Sequence, residues 1–189
     1  MKAHPLIQTE RLLLREFRDA DASRLAAIAG EWRVADTTIC IPHPYSPQKA
    51  AENILRFRSE WDSEIAVHFA VCASGDPGPF VGYIALRDID IEHGCAELSF
   101  WISEAHGGKG YATEAALAAI RFGFDTLCLN RICAYHMVRN PASARVLAKL
   151  GMREEGRLRQ RVRKWGVFED VLVWAVVRTE WQDLPWVSS

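Results

Sequence analysis

Three apolar runs follow one another at 66–73, 80–87 and 95–102, with only short connections between them. Ser74-Gly-Asp-Pro-Gly-Pro79 is dense in turn formers, and the 88–94 connection is equally brief. Connections of that length cannot hold the crossover that parallel neighbours require, so the runs predict an antiparallel meander. Around it the pattern changes period. Residues 7–17 read as one strand with Leu12 and Leu14 on one face. Asp19 and Asp21 are placed to cap a helix ending near Gly30, and 31–45, with two prolines and no clear period, reads as loop with about one helical turn. Ser46-Pro47 gives an N-cap and a proline at the first helical position. Ala50, Ile54, Phe57 and Trp61 then recur at helical spacing to about Asp62, a stripe that reads as core.

After the meander come a helix from about Gly110 to Asp125, a strand at 131–138, a helix at 141–150 stopped by Gly151, and strands at 153–164 and 169–177. The order is that of an α+β fold with a mixed sheet, not a doubly wound one. No repeat, linker or low-complexity segment interrupts the 189 residues, which read as one domain over 1–189.

The 23 basic and 24 acidic residues nearly cancel, so no global field draws the chain to nucleic acid or to a membrane surface. No apolar run approaches the ~20 residues of a membrane span, and nothing after Met1-Lys-Ala-His-Pro5 resembles a secretory signal. The expected compartment is the cytoplasm. Cys40, Cys72, Cys95, Cys128 and Cys133 are odd in number, lack C-x-x-C spacing and read as buried small hydrophobes of a reducing compartment. Cys95 and Cys133, in expected central strands, leave a covalent nucleophile conceivable. Neither the cysteines nor the scattered histidines form a metal-ligand pattern.

The chemistry concentrates in Glu97-Leu-Ser-Phe-Trp-Ile-Ser-Glu-Ala-His-Gly-Gly-Lys-Gly-Tyr-Ala-Thr-Glu114, where a strand runs through a glycine cluster into a helix. Glycines let backbone N–H groups turn toward an anion at a helix N-terminus, where the macrodipole favours negative charge. A Walker loop would need Gly where Ser103 stands and Ser or Thr where Gly110 stands. A dinucleotide fingerprint would need Gly at Thr113 and a parallel unit before it. A plain glycine turn remains the alternative for the loop taken alone.

Thirty residues on stands Asn140-Pro-Ala-Ser-Ala-Arg-Val-Leu-Ala-Lys-Leu-Gly-Met152. With Thr9-Glu-Arg-Leu-Leu-Leu-Arg15, Gly82-Tyr-Ile-Ala-Leu86, Ala96-Glu-Leu-Ser-Phe-Trp-Ile102, Gly108-Lys-Gly-Tyr-Ala-Thr-Glu-Ala115, Glu155-Gly156, Asp170 and Glu180-Trp181, in this order and spacing, the chain resembles the GNAT superfamily of acetyl-CoA-dependent N-acetyltransferases, and closely its RimJ/RimL-like branch. The resemblance implies a GNAT fold whose mostly antiparallel sheet splits in a V between two central strands, here those ending at Ile102 and Val138. It implies pantetheine in the split, bonded to the backbone of Phe100, Trp101, Ile102 and Ser103. It assigns Gly107, Gly108, Lys109, Gly110, Tyr111 and Ala112 to the pyrophosphate and Asn140 to the pantetheine arm. Ser143 falls near the thioester sulfur as the acid, while Lys149 and Arg145 are within reach of phosphates. Ala105 replaces the Gln or Arg that usually begins the loop, which implies weaker outer contacts and intact backbone binding.

Acetyl transfer to a primary amine needs a proton acceptor, and Glu97 is the candidate because its strand leads into the thioester site; a salt-bridged strand carboxylate is the alternative. A backbone amide near Phe100 and Trp101 would meet the charge on the carbonyl oxygen. The branch's second carboxylate after Glu155-Gly156 is missing here, since no carboxylate follows Glu155 until Glu169. Arg157, Arg159, Arg161 and Arg163, at period two, would share one sheet face, either as a charged solvated edge or as a rim for an acidic substrate. The acceptor, a protein N-terminus or a small-molecule amine, faces a pocket built by 31–61 and the last strands. A different acyl donor, an aminoglycoside acceptor and a non-catalytic CoA-binding sensor are the rival readings. A homodimer is compatible with the sequence, which does not fix the oligomeric state.

Overall fold

A computed structural model describes residues 3–75 and 78–182. The middle of the 74–79 turn and the first two residues of the N-terminus lie outside the described residues. Among the described residues, eight strands form one sheet: β1 (Ile7–Gln8), β2 (Leu12–Arg15), β3 (Val67–Ala73), β4 (Phe80–Asp90), β5 (Cys95–Ile102), β6 (Arg131–Met137), β7 (Arg153–Lys164) and β8 (Val167–Val177). Their spatial order is β1-β2-β3-β4-β5-β6-β8-β7. The helices are α1 (Ala22–Ala29), α2 (Trp32–Thr37), α3 (Pro47–Asp62), α4 (Tyr111–Asp125), α5 (Pro141–Lys149) and α6 (Arg178–Gln182).

The expected meander is present, since β3, β4 and β5 pair antiparallel in succession. Every pairing in the sheet is antiparallel except β5 with β6, which α4 connects as a crossover. Strand alternation then builds two cores. β3 sends Val67, Phe69 and Val71 to the face covered by α4 and α5, and Ala70 and Cys72 to the face covered by α1 and α3. Ala50, Ile54, Phe57 and Trp61 of α3 are all buried, as their spacing predicts, and Ser46 caps that helix by accepting the Lys49 N–H at 3.1 Å.

Local expectations fail where side chains are used by distant partners. Residues 7–17 form a hairpin rather than one strand, because Thr9 Oγ1 takes the Leu12 N–H and Glu114 takes the Arg11 N–H, turning the chain between β1 and β2. Asp21 does not cap α1. Its carboxylate accepts both Arg15 guanidinium arms, at 2.7 and 2.9 Å, and the Arg18 N–H. The helical turn expected within 31–45 is present as α2, six residues long and seated by buried Val34 and Ala35. The last hairpin turns at Trp165-Gly166, both at positive φ, so β8 starts two residues before the expected position.

The arginine row also breaks. β7 is the edge strand, but three residues, 159–161, bulge opposite Asp170 alone, with Gln160 at φ 50°. Arg157 pairs with Asp170 and Arg163 lies over Phe168, whereas Arg161 turns to the same cleft as Leu158 and Val162. The four arginines therefore do not share a face. The cysteines are less buried than expected: Cys72 alone is buried, Cys95 and Cys133 are half-buried, and Cys40 and Cys128 are exposed in connections.

Candidate active site

β5 and β6 are hydrogen-bonded only from Cys95 to Leu98 against Arg131 to Ala134. Beyond that point β5 stays with β4, through Gly82 and Ile102, while β6 stays with β8, through Met137 and Val171. Each strand follows its outer neighbour, and the two separate in a V. A cleft of about 1290 Å³ runs through the opening. Phe100, Trp101, Ile102, Ser103, Gly107, Gly108 and Ala112 line it from one side, and Tyr135, His136, Asn140 and Ser143 from the other. Lys109, Gly110 and Tyr111 are not part of this lining, the first two being exposed and Tyr111 half-buried, and Lys149 is exposed in the last turn of α5, outside the cleft. Arg145, one turn earlier, does line it.

The glycine loop follows a left-handed path and is held from one side by Arg11. A 3-10 turn over Glu104–His106 follows β5, and Ser103 Oγ meets His106 Nδ1 at 2.8 Å. Gly108 and Gly110 stand at φ 74° and 84°, which side chains other than glycine's rarely adopt. A Cβ at Gly108 would meet nothing within 4 Å, so the demand for glycine there is conformational and the space above the loop is open. Behind the loop, Arg11 donates to the Lys109 carbonyl at 3.0 Å and to Glu114 in the first turn of α4, and lies over the Tyr111 ring. Thr9 Oγ1 donates to the same carboxylate at 2.6 Å.

Across the V, Asn140 Oδ1 caps α5 by accepting the Ser143 N–H at 3.2 Å. Its Nδ2 donates to Ser143 Oγ at 2.9 Å and to the Thr37 carbonyl of α2 at 3.0 Å. Ser143 Oγ thus receives a hydrogen bond while its own proton remains available to donate. On the face toward α1 and α3, Glu97 stands opposite Arg87 in register, with 3.9 Å between carboxylate and guanidinium. Burial pushes the Glu97 carboxyl above its ordinary value, Arg87 and Arg161 oppose that shift, and Asp88 adds to it. Burial raises the Cys133 thiol in the neighbouring strand, so the conceivable cysteine nucleophile is not activated.

The GNAT acetyltransferase domain model matches residues 11–153, the stretch that holds the split strands and the glycine loop. The chain belongs to the GNAT acetyltransferase family. This acetyltransferase is 28% identical over 174 residues to the uncharacterized N-acetyltransferase YoaA of Bacillus subtilis, covering 92% of this chain and 97% of that protein. It is 27% identical over 185 residues to the ribosomal protein uS5-alanine N-acetyltransferase of Escherichia coli, covering 93% and 92%. Its fold superposes on that of Mycobacterium smegmatis RimJ in complex with CoA-disulfide with a TM-score of 0.83, at 24% identity over 92% of this chain and 84% of that one. The enzyme is an acetyl-CoA-dependent N-acetyltransferase of RimJ/RimL-like type, and no group of metal-ligating side chains occurs among its described residues. No described helix is long and apolar enough to cross a membrane, which says nothing of a β-barrel.

Several residues of this GNAT site were not singled out in the sequence. Arg139 binds Asp36 of α2 at 2.7 Å and Glu169 of β8 at 2.8 Å, and Trp165 Nε1 donates to Asp36 at 2.8 Å. Trp165 stacks on Trp32, and Lys164 donates to the Ile41 carbonyl. The tip of the β7–β8 hairpin is thereby fastened to α2 over one side of the cleft. Tyr83, beside Phe57 and Trp101 in the lining, is a second unanticipated member.

Proposed function

We propose that this enzyme moves the acetyl group of acetyl-CoA directly to the α-amine of a protein or peptide N-terminus, in the cytoplasm. The observation that carries the reading is the split between β5 and β6, which leaves the β5 backbone from Ser99 to Ile102 without a strand partner on that side. A pantetheine arm would add there like a strand, and the amides of Phe100, Trp101, Ile102 and Ser103 are its expected donors. The left-handed glycines beside the α4 N-terminus suit a pyrophosphate, with Gly107, Gly108, Lys109, Gly110, Tyr111 and Ala112 forming the cradle.

The amine enters from the α1–α3 face. An α-amine titrates near 8, so most of it arrives protonated at neutral pH and must lose a proton before it attacks. Glu97 takes that proton. Its raised pKa suits the task, because a base works best when its pKa approaches the working pH. Ser143 donates toward the departing sulfur, and a backbone amide near Phe100 and Trp101 meets the charge on the carbonyl oxygen.

Charge favours a peptide over a polyamine. Of the cations lining the cleft, Arg33, Lys49, Arg56, Arg87 and Arg139 lie within 4.0 Å of carboxylates, whereas Arg145 and Arg161 have no such partner among the described residues. These two unpaired arginines disfavour a polycation and favour an amine followed by acidic groups. The sequence match to the uS5-alanine enzyme also spans nearly the whole chain, whereas the sequence match to the Vibrio cholerae spermidine N(1)-acetyltransferase covers 48% of it, although a solved spermidine N-acetyltransferase of that organism shares the fold over 93%. Thiol release from acetyl-CoA, measured with N-terminal peptides, polyamines and aminoglycosides, tests the assignment. Turnover of peptides, strongest for acidic ones, is expected; turnover of polyamines or aminoglycosides with peptides inert overturns it.

A further inference from the structure

A buried hydrogen-bonded chain leads from the outer face of α3 into the acceptor side of the cleft. Glu60 Oε2 meets His68 Nε2 at 2.6 Å, and His68 Nδ1 meets the Tyr83 hydroxyl at 2.9 Å. The His68 ring stacks on Phe57 at 4.1 Å between centroids, and Tyr83 stacks on Trp101 at 5.7 Å, so both rings are fixed. Directions along the chain follow from the donor inventory. Burial works to raise the Glu60 carboxyl, but Arg56 and His68 overcome it and hold the group ionised, so it can only accept. His68 Nε2 must then carry the hydrogen. Burial lowers the His68 pKa to about 4, which keeps the imidazole neutral and leaves Nδ1 bare. A bare Nδ1 can only accept, so the Tyr83 hydroxyl must donate to it.

That commits the one proton of Tyr83, and burial keeps the phenol protonated. Tyr83 is only 8% exposed, its hydroxyl bonds His68, and among the described residues no donor bonds the phenolic oxygen, which leaves a lone pair for a ligand that reaches the floor of the cleft. Tyr83 lines the cleft on the same sheet face as Glu97, with only the small side chains of Ala85 and Ser99 at the paired positions between them.

We propose that Tyr83, locked as an acceptor by His68 and Glu60, binds an N–H of the incoming amine beside Glu97 and so selects primary amines and orients them for attack. This rests on the acetyl-transfer reading and adds the acceptor's recognition to it. A primary amine has two N–H donors and one lone pair. With one N–H held by Tyr83 and the ammonium proton passed to Glu97, the lone pair is freed for the thioester carbon. An alcohol, with a single donor, cannot satisfy both oxygens. Tyr83 touches the substrate; His68 and Glu60 are positioning residues that act through it.

The test uses the whole enzyme saturated with CoA and compares an acidic peptide bearing a free α-amine with the same peptide N-acetylated. Tyr83→Phe, which keeps both ring stacks, should weaken binding of the free amine about tenfold and leave the acetylated peptide unchanged. With acetyl-CoA, it should lower kcat/KM for the peptide by a similar factor without changing the KM of acetyl-CoA. His68→Leu should match Tyr83→Phe, His68→Gln, which keeps a donor and an acceptor, should recover part of the loss, and the His68→Leu, Tyr83→Phe pair should be no worse than either alone. Nitrogen NMR of the free enzyme should find the proton of His68 on Nε2. Equal affinity of wild type and Tyr83→Phe for the free amine, or a proton on Nδ1, overturns the proposal. Loss of free-amine binding in Tyr83→Phe from a wild type that releases no thiol would instead keep the amine site and sink the acetyl-transfer reading.

Discussion

Arg11 and Glu114, 103 positions apart, join the hairpin at the start of the chain to the first turn of the helix behind the glycine loop. Arg11 also holds the Lys109 carbonyl, so one guanidinium fixes both the loop and the helix that receives it. Preorganised backbone donors bind more tightly than donors that must be ordered on binding. Glu114→Ala should therefore weaken acetyl-CoA about five- to tenfold and leave the acceptor KM nearly unchanged. Calorimetric titration with acetyl-CoA checks it. Unaltered affinity in a folded variant would mean that the loop holds its shape without the clamp.

Glu97→Gln should lower kcat by about tenfold or more near neutral pH, the scale of general-base catalysis. The deficit should shrink as pH approaches the amine pKa of about 8, where the substrate sheds the proton unaided. In the wild type, kcat/KM should fall as pH drops through the Glu97 pKa, which burial places above the ordinary glutamate value. A wild-type rate for Glu97→Gln across the whole pH profile would remove this residue from the mechanism. Ser143→Ala should lower kcat at every pH, whereas a serine serving only its helix would cost stability and spare the rate.

His68 makes folding pH-dependent. Its pKa is lower in the folded chain, about 4, than the 6.5 of a free histidine, so the unfolded state binds the extra proton between those values. Stability should be fully present above pH 6.5 and be lost as pH falls toward 4. Glu60, held low by Arg56 and His68, extends the loss in the same direction below pH 4.5. Thermal melts from pH 7.5 to 4 should show a steeper decline for the wild type than for His68→Gln. Parallel declines would show that this histidine is not buried neutral.

Arg161 should matter to an acidic acceptor more than its neighbours on β7 do. Arg157 is paired with Asp170 and Arg163 lies over Phe168, while Arg161 faces the cleft. Arg161→Glu should raise the KM for acidic peptides, leave that for acetyl-CoA unchanged, and lose its effect in high salt, where exposed charges are screened beyond roughly 3 Å at 1 M. An equal effect from Arg159→Glu would return the strand to the role of a charged edge.

Features set by local pattern were legible in the sequence: the meander, the Ser46 cap, the α3 stripe and the glycine path into α4. Those set by tertiary partners were not. Asp21 reads as a cap because nothing nearby reveals that Arg15 claims its carboxylate. Period two puts four arginines in one row because a bulge opposite Asp170 has no local signal. Tyr83 and His68 were not singled out within their strands; only the pairing of β3 with β4, and the packing of α3 on that face, brings Glu60, His68 and Tyr83 into line. The motif residues Thr9, Arg11 and Glu114 carried the resemblance to the family, but their shared role in bracing the loop required the fold.

The account stands most directly on where the acetyl group goes. An acidic peptide with a free α-amine and an internal lysine, incubated with enzyme and acetyl-CoA and sequenced by mass spectrometry, should gain one acetyl group on the α-nitrogen, with thiol released in equal amount. Gly110→Val, whose side chain would demand the rare positive φ and crowd Arg11, should abolish both signals and the acetyl-CoA-induced rise in melting temperature. Acetylation of the lysine alone, or thiol release undiminished in a folded Gly110→Val enzyme, would contradict it.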